Sequence, residues 1–480
     1  MKKLDRQSAG LPLTRPEKVL QFGGGNFLRA FVDWMIDHLN KKGRFNGDVV
    51  IVKPTEGGDY AALRQQDGLF HVSLNGIQNG ELITETTLVD CVSRVVHPYQ
   101  EWETYLQLAE AASIRYIVSN TTEAGITFNP ADKAEDHPPR EFPAKLTAWL
   151  YHRYQYFDGD ANRACVFLPC ELIENNGEVL RDCILQYADH WKLEEGFQHW
   201  IKEANVFCNT LVDRIVSGYP KDDASRLQEV LGYEDPLLVA GEYYHSWIIQ
   251  GPGWLSEEMG FDQTSLGVKF VDDLDIYRTI KVRMLNGAHT AMVPVGYLSG
   301  MRSVREAIEE TNIGNFVRQL LELEVMPTLD APSAEIEDFA EAAIDRFLNP
   351  SIYHKLISIA LNSTAKFRTR LLPSLLGYVD KFGELPPRIV LALAALIVFY
   401  KGEWQEEKID LQDDADRLRF FQELWSKEEK DPTNIARAVL AREEWWGTDL
   451  NSIDGLTDRL AKYIWMICQK GMYKTLLQLQ

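Results

Sequence analysis

The chain has 480 residues, more than a single ordinary hydrophobic core accommodates, so two or three domains are expected. Its composition, 45% hydrophobic and 25% charged, is typical of a globular protein. The formal net charge of −21 argues against a nucleic-acid partner, because phosphate backbones are bound by clustered Lys and Arg. Small anionic ligands stay possible through local basic pockets.

Two features of the sequence bear on its compartment. Residues 1–10 are polar and lack the apolar stretch of a secretory signal, and the longest apolar run, Ile389–Tyr400, is short enough to predict a buried helix rather than a membrane span. We therefore expect a cytoplasmic protein with no membrane partner. Six cysteines without a C-x-x-C pair indicate free thiols, and no Cys/His cluster has zinc-ligand spacing, so we predict catalysis without a metal.

A strand, a glycine turn and a helix open the chain. The apolar run Val19–Phe22 precedes three glycines, and Phe27–Leu39 has helical periodicity. This order is typical of a dinucleotide-binding βαβ unit, in which glycines let backbone N–H groups approach a pyrophosphate. Leu28 replaces the third glycine of the usual fingerprint, so a plain tight turn is an equal alternative. The candidate cofactor-binding residues are Phe22, Gly23, Gly24, Gly25, Asn26, Phe27, Leu28 and Arg29.

Further strands and two helices are predicted before residue 272. The strands are Asp48–Pro54, Leu69–Leu74, Glu81–Val96, Ile114–Asn120, Ala164–Pro169, Pro236–Gln250 and Gly267–Val271, and the helices are Tyr99–Ala112 and Glu178–Glu203. At the end of the first of these strands, Lys53 occupies the place of the acid that usually binds the ribose of NAD. The residues alone therefore do not decide between NAD and NADP.

Polar residues follow two of these strands at the edge where open parallel sheets bind their ligands. Ile114–Asn120 runs into Thr121–Gly125, which makes Thr122 and Glu123 candidate cofactor-binding residues. A capped turn explains that segment at least as well. Asn176 follows the strand that ends at Pro169 and is a candidate substrate-binding residue, or simply part of a turn.

Beyond Asp272 helical patterns dominate. They cover Val304–Glu310, Gly314–Val325, Ala334–Phe347, Leu385–Tyr400, Asp413–Trp425, Ile435–Ala441 and Leu456–Leu477. We therefore predict an α/β fold, with a Rossmann-type NAD-binding domain at residues 1–270 and an all-helical substrate and catalytic domain at residues 271–480.

The stretch Ile280–Thr290 carries the candidate catalytic residues. Lys281, Asn286 and His289 would fall within a sector of about 140° on an α-helix, so all three could point into one cleft. An amine, an amide and an imidazole together can move a proton and hold a developing oxyanion. Taken alone, Lys281 could equally be a surface residue and His289 a core histidine.

Three cations stand within five residues at Lys366, Arg368 and Arg370, which is unusual in so acidic a chain. Such a run is commonly a solvated helix face. It could equally form an anion-binding wall, because an Arg guanidinium fits a carboxylate. These three residues are therefore candidates for binding an acidic substrate.

The combination of motifs resembles the long-chain mannitol dehydrogenase family. The motifs are Phe22–Ala30, Asn120–Gly125, Val212–Ile215 and Lys281–His289, and the resemblance extends from about Lys18 to about Tyr473. Within the family, the chain is similar to the branch that reduces D-tagaturonate to D-altronate in hexuronate (galacturonate) catabolism. The resemblance implies NAD as cofactor, no zinc, and an oxidoreductase acting on CH–OH groups. We expect Lys281 to be the general acid and base, with Asn286 and His289 hydrogen-bonding the reacting oxygen.

Two departures separate the chain from the polyol-acting members. Leu172 stands where those members carry a substrate-binding amide, and Ser358 stands where they carry an arginine. Three alternatives stay open: reduction of fructuronate to mannonate, a polyol dehydrogenase, and a nucleotide-binding isomerase or sensor without redox activity.

Overall fold

The structure, a computed structural model of the full chain, describes residues 1–12, 15–58, 60–122, 124–426 and 431–479. It splits into two compact units, one formed by Met1–Asn75 with Ile83–Leu274 and the other by Gly76–Leu82 with Asp275–Gln480. The boundary near residue 270 was inferred from the change from strands to helices, and it stays a prediction.

The N-terminal part alternates strands and helices. The strands are β1 (Lys2–Lys3), β2 (Glu17–Phe22), β3 (Asp48–Val52), β4 (Phe70–Gln78), β5 (Glu81–Val89), β6 (Val92–Val96), β7 (Tyr116–Ser119), β8 (Val166–Pro169), β9 (Val206–Phe207), β10 (Asn209–Asp213), β11 (Val216–Gly218), β12 (Tyr233–Glu234), β13 (Val239–Glu242), β14 (Ser246–Gln250) and β15 (Val268–Val271). The α-helices are α1 (Arg6–Ala9), α2 (Asn26–Leu28), α3 (Trp34–Lys41), α4 (Ala61–Gln65), α5 (Trp102–Gln107), α6 (Phe142–Tyr156), α7 (Asn176–His190), α8 (Glu195–Glu203), α9 (Ala224–Leu231) and α10 (Trp254–Met259). A π-helical turn, Arg29–Asp33, joins α2 to α3, and 3-10 turns cover Leu108–Glu110 and Ala161–Arg163.

The central sheet confirms the predicted Rossmann-type fold. Its strand order is β6-β3-β2-β7-β8-β9, and neighbouring strands pair in parallel. The order reverses between β2 and β7, and ligands of such sheets bind at the carboxyl ends of the strands beside that reversal. Phe22 pairs with Val52 and with Ser119, so these strands end at one edge of the sheet.

The inner strands are apolar on both faces because both faces are covered. Along β3, Val49 and Ile51 pack into one hydrophobic cluster, while Val50 and Val52 pack into another. Helix α6 belongs to the second cluster and was not predicted from the sequence. Its apolar pattern is interrupted by the buried Arg153, whose guanidinium donates to the backbone carbonyls of Ala109 and three other residues.

Two predicted helices are wrong as continuous elements. Glu178–Glu203 is divided into α7 and α8 at residues 191–194, where Lys192 has a φ of +55°. The predicted Leu456–Leu477 helix is interrupted at Gly471, which has a φ of +85°. A positive φ ends a helix because left-handed backbone cannot continue the i→i+4 hydrogen bonds.

The C-terminal unit is mostly helical, and its described residues after Asp275 include a short hairpin of β16 (Glu403–Trp404) and β17 (Glu407–Lys408). Its helices are α11 (Asp275–Lys281), α12 (Gly287–Leu298), α13 (Val304–Glu309), α14 (Thr311–Leu320), α15 (Ser333–Leu348), α16 (Leu356–Ile359), α17 (Ser363–Arg370), α18 (Leu372–Phe382), α19 (Pro387–Phe399), α20 (Ala415–Ser426), α21 (Pro432–Leu440), α22 (Glu443–Trp446), α23 (Leu456–Lys470) and α24 (Met472–Leu476). The π-helical turns are Val282–Asn286 and Leu321–Val325, and the 3-10 turns are Met326–Thr328 and Leu450–Ser452.

Helix α19 lies at the centre of this unit. It begins at Pro387, and every residue from Ile389 to Tyr400 is buried, as the apolar run predicted. It packs against α12 and α23, so its apolar surface is covered by other helices. Over the described ranges, no helix combines the length and the apolar character needed to cross a membrane.

Candidate active site

The glycine turn after β2 is closed at its first two residues. Gly23 has a φ of +119°, a conformation that favours glycine, and its N–H donates to Val52 O at 3.0 Å. A Cβ on Gly24 would lie 3.0 Å from a ring carbon of Tyr60 and 3.2 Å from Ile51 Cγ2. The Gly24 N–H donates to the Tyr60 hydroxyl at 3.0 Å. A side chain is therefore disfavoured at Gly23 by the backbone conformation and at Gly24 by close packing.

Gly25 differs from the two glycines before it. It is exposed, and a Cβ built there would meet no protein atom within 4 Å. Gly25 is also the N-cap of α2, which continues through the π turn and α3 to Lys41, and no side chain caps this helix start. The open side of the turn therefore presents uncapped backbone N–H groups at a helix N-terminus, an arrangement that attracts anions.

The side chains of the predicted cofactor-binding stretch point mainly into the protein. Phe22 and Leu28 are buried, and Phe27 stacks on Phe31 with ring centroids 5.0 Å apart. Arg29 is buried, and it donates to Gly24 O at 3.2 Å, to Asn26 Oδ1 at 2.7 Å and to a backbone carbonyl in the β12–β13 loop. Burial lowers the pKa of Arg29. Any cofactor contact by this stretch would come chiefly from its backbone and from the exposed Gly25 and Asn26.

A buried polar pair beneath the turn was not found from the sequence. Gln21 Nε2 donates to Gly23 O at 3.0 Å and to Asp33 Oδ2 at 3.2 Å. Burial raises the pKa of Asp33 to about 7, against the effect of the Gln21 hydrogen bond. The available signal was the presence of a glutamine inside the otherwise apolar run Val19–Phe22.

The second predicted cofactor segment follows β7. Glu171 accepts from the Thr121 N–H and hydroxyl, both at 2.9 Å, and from Ser119 Oγ at 3.0 Å. Burial raises the pKa of Glu171, while these hydrogen bonds oppose the rise. Thr122 is exposed and has a φ of +88°. Glu123, the other candidate, lies outside the described residues.

Asn176 is not placed as a ligand-binding side chain would be. It is buried, its Nδ2 donates to the carbonyls of Pro169, Glu171 and Thr210 at 3.0 to 3.1 Å, and its Oδ1 accepts from Thr210 N at 2.8 Å. Both ends of the amide are thus used to hold β8, the following turn and β10 together.

The stretch with Lys281, Asn286 and His289 is not one regular α-helix, which corrects the sequence-based geometry. A π-helical turn, Val282–Asn286, lies between α11 and α12. Because i→i+5 bonding brings residues five apart onto the same face, Asn286 lies nearly above Lys281, and the three residues occupy a sector of roughly 60° rather than 140°. All three side chains are half-buried.

Gly287 permits close packing of α17 against α12. A Cβ there would lie 3.3 Å from Leu371 Cδ2 and 3.5 Å from Arg370 O. Arg370 Nη1 donates to Thr290 Oγ1 at 3.2 Å, and Thr290 Oγ1 in turn donates to Asn286 O at 2.9 Å. The guanidinium is therefore fixed beside the residue that follows His289.

The structure separates the three predicted cations. Lys366 and Arg370 are four residues apart on α17 and so share one face of the helix. Arg368 is exposed on another face, where its Nη2 lies 3.5 Å from the position of a Cβ on Gly447. Lys366 and Arg370 are brought toward His289, and Arg368 is not.

The imidazole of His289 lies among aromatic rings and positive charges. Its ring centroid is 4.6 Å from that of Phe347 and 5.3 Å from that of His354. Burial first, and then electrostatic interactions with neighbours that include Arg346, Arg370 and Lys366, lower the pKa of His289 well below its usual range. His289 is therefore a neutral imidazole in a positive electrostatic environment.

Lys366 is anchored in the same region. Its Nζ donates to Ile359 O at 2.8 Å, and burial together with the charge of Arg370 lowers its pKa. Burial also lowers the pKa of Arg370. Grouped cations that disfavour one another's charge are stabilised by a bound anion.

In the part of the chain that the structure describes, no group of three or more His, Cys, Asp or Glu residues is arranged to hold a metal ion. The described residues include all six cysteines, which form no disulfide; five are buried and Cys468 is exposed.

Comparisons with known proteins agree with this architecture. Residues 17–263 match the mannitol dehydrogenase Rossmann domain, and residues 273–468 match the mannitol dehydrogenase C-terminal domain. Altronate oxidoreductase of Bacillus subtilis (strain 168) is 47% identical over 478 residues, covering 100% of this chain and 98% of the relative. Altronate oxidoreductase of Yersinia pestis is 46% identical over 463 residues, covering 96% of each. The Pseudomonas fluorescens mannitol 2-dehydrogenase ternary complex with NAD and D-mannitol shares the fold, with a TM-score of 0.64, 22% identity and 99% of each chain covered.

Proposed function

The chain belongs to the mannitol dehydrogenase family, and on that premise we propose that it is an NAD-dependent altronate oxidoreductase, which reduces D-tagaturonate to D-altronate and catalyses the reverse reaction. Its full-length curated relatives carry that name. The observation that carries the substrate class is the grouping of Lys366 and Arg370 around the neutral imidazole of His289. Cations so arranged in a chain of net charge −21 fit a sugar acid better than a neutral polyol.

The cofactor assignment is supported by the glycine turn. The space beside Gly25 and the uncapped N–H groups of the helix start suit a pyrophosphate. The mannitol 2-dehydrogenase that shares the fold is a complex with NAD. We assign the backbone contacts to Gly25 and Asn26, with Thr122 at the neighbouring strand end, while Gly23 and Gly24 form the tight turn that exposes them. Phe22, Leu28 and Arg29 shape the turn from inside.

A nicotinamide bound beside the turn would supply a hydride to the substrate carbonyl, and the carbonyl oxygen would then need stabilisation and a proton. Lys281 donates that proton, and in the oxidative direction it removes the proton of the hydroxyl. Asn286 Nδ2 and the N–H of the neutral His289 ring donate hydrogen bonds to the same oxygen. Neither side chain has a hydrogen-bond partner among the described residues, so both are available for this role.

The carboxylate of the substrate is assigned to Arg370 and Lys366. Arg370 presents a planar fork whose position is fixed by Thr290, and Lys366 adds a second charge from the same face of α17. Arg368 lies on another face and is left out of the assignment. Asn176 and Glu171 are assigned positioning roles, because their polar atoms hold the strand ends and the Thr121 turn.

The experiment that tests the function follows NADH oxidation by absorbance with D-tagaturonate, D-fructuronate, D-fructose and D-tagatose, repeated with NADPH. We expect D-tagaturonate with NADH to give the highest kcat/KM. A higher value with D-fructuronate would establish the mannonate-forming reaction instead, and a preference for the neutral sugars would establish a polyol dehydrogenase. Tight NADH binding without oxidation by any of them would indicate a sensor or an isomerase.

A further inference from the structure

A second imidazole stands beside His289. The ring of His354 is inclined at 74° to that of His289, with centroids 5.3 Å apart. The backbone holds this residue in place, because its carbonyl accepts from Val304 N at 2.9 Å and Leu356 N donates to Arg302 O at 2.9 Å. His354 is therefore fixed beside His289.

Both rings have unused hydrogen-bonding capacity. Over the described residues, no protein group hydrogen-bonds the ring nitrogens of His289 or of His354. Burial lowers the pKa of His354, so its half-buried ring is neutral and offers one donor and one acceptor. A partly buried polar group is more stable when a ligand or water satisfies it.

We propose that His354 is a further substrate-contacting residue, which hydrogen-bonds a hydroxyl of the sugar acid and thereby determines specificity between D-tagaturonate and D-fructuronate. These two acids differ in configuration at one hydroxyl-bearing carbon. The inference rests on the proposed function and extends it from the reacting oxygen and the carboxylate to the hydroxyls.

The chemistry of the neighbouring groups favours this role. Lys366 and Arg370 suit the carboxylate, and His289 suits the reacting oxygen. The hydroxyls lie along the carbon chain between those two groups, and a hydroxyl both donates and accepts. A neutral imidazole matches that pattern, and a cation, which can only donate, does not. A site that hydrogen-bonds a substrate hydroxyl discriminates strongly against an analogue that cannot make the bond.

If His354 only packed against His289, substitutions at position 354 would have different effects from those expected for a substrate-binding residue. His289 already packs against Phe347 on another side, so an aromatic ring without nitrogens at position 354 keeps the contact with His289. H354F therefore removes only the hydrogen bonds. H354N and H354Q keep an amide near the place of Nδ1 or Nε2 and remove the ring. The adjacent Tyr353, which is 67% exposed, provides the matched control Y353F.

The experiment measures kcat/KM for both acids, KM for NADH and the melting temperature in the full-length enzyme and these variants. We expect H354F to lower kcat/KM for D-tagaturonate by roughly tenfold or more and to reduce its preference over D-fructuronate by a similar factor. KM for NADH and the melting temperature should stay unchanged. H354N or H354Q should recover part of the preference, and Y353F should match the wild type.

A folded H354F enzyme with the wild-type preference would overturn the inference while leaving the proposed function intact. If H354F does not fold, the same measurements are made on H354L, and a folded H354L enzyme with the wild-type preference would overturn the inference. A wild-type enzyme that reduces neither acid would overturn the proposed function and this inference together.

Discussion

The glycine turn of the N-terminal unit and the His289 cluster of the C-terminal unit are built in opposite ways. In the turn, the side chains of Phe22, Leu28 and Arg29 are buried and make packing contacts or internal hydrogen bonds. The backbone beside Gly25 is accessible to a ligand. In the cluster, the side chains themselves are half-open, and Asn286 and His289 have no hydrogen-bond partner in the described part of the chain. Backbone contacts can bind the same cofactor for many different reactions, whereas side chains determine the substrate and the reaction. We therefore expect substitutions in the turn to change the affinity for NADH, and substitutions near His289 to change turnover or the affinity for the substrate.

The largest effect is expected at Lys281. Lys281→Ala removes the proposed general acid, and kcat should fall by roughly two orders of magnitude or more, because that is the usual contribution of such a group. The NADH dissociation constant, measured by fluorescence titration, should not change. Near-normal turnover in the folded variant would remove Lys281 from the mechanism.

The second effect compares two arginines on α17. Arg370→Ala should raise KM for D-tagaturonate by about tenfold to a hundredfold, since a charge-assisted hydrogen bond contributes about 1.5–3 kcal/mol. Arg368→Ala removes the same charge from another face of the helix and should leave KM within about twofold, an effect of under ~0.5 kcal/mol. The measurement is KM for D-tagaturonate by steady-state kinetics in both variants. Equal effects would show that the net charge of the helix, and not the position of Arg370, binds the acid.

The third effect tests the turn. Gly25→Ala places a methyl group where no protein atom lies, so the melting temperature should be unchanged while KM for NADH rises by roughly tenfold. Gly23→Ala should lower the melting temperature as well, because Gly23 has a φ of +119°. A Gly25→Ala enzyme with normal NADH affinity would show that the pyrophosphate is not bound at this point.

The last prediction concerns the pH dependence of stability rather than activity, at the buried Asp33 beneath the turn. Burial raises the pKa of Asp33 to about 7 in the folded state, above its value of about 4 in the unfolded chain. Between these values the folded state retains a proton that the unfolded state has lost, so this group's contribution to the free energy of unfolding falls as pH rises from about 4 to about 7, by at most about 4 kcal/mol.

Asp33→Asn abolishes that titration. The melting temperature of this variant relative to wild type should therefore be higher at pH 8 than at pH 5. A difference independent of pH would mean that Asp33 is ionised in the fold throughout this range.

Local pattern predicted strands β2, β3, β7 and β8 of the central sheet and the candidate residues near Lys281, whereas β9 was missed and β5 and β6 were predicted as one strand. Continuous apolar runs indicate strands that are buried on both faces. The separation of Arg368 from Lys366 and Arg370 was also readable, by counting four residues along a helix. The π turn at Val282–Asn286 had no signal in a single sequence, because its hydrogen bonds depend on tertiary packing.

Other features depend on residues that are distant in the sequence. Asn176 stays a candidate from the sequence, but two of the hydrogen bonds that its amide makes within the fold are to Thr210, thirty-four positions away, and the sequence could not show them. His354 could not be identified as a candidate from the sequence, because what distinguishes it is the position of its ring beside that of His289. The sequence therefore indicates which residues have chemically suitable side chains. It does not show which of those side chains are already hydrogen-bonded within the fold.

The most direct test of the central claim is the ratio of kcat/KM for D-tagaturonate to that for D-tagatose, which carries a CH2OH group in place of the carboxylate. The account predicts a ratio above about a hundred in the wild type, from two charge-assisted contacts, and a ratio reduced by tenfold or more in Arg370→Ala. A wild-type ratio near one would contradict the assignment of the cluster to a sugar acid.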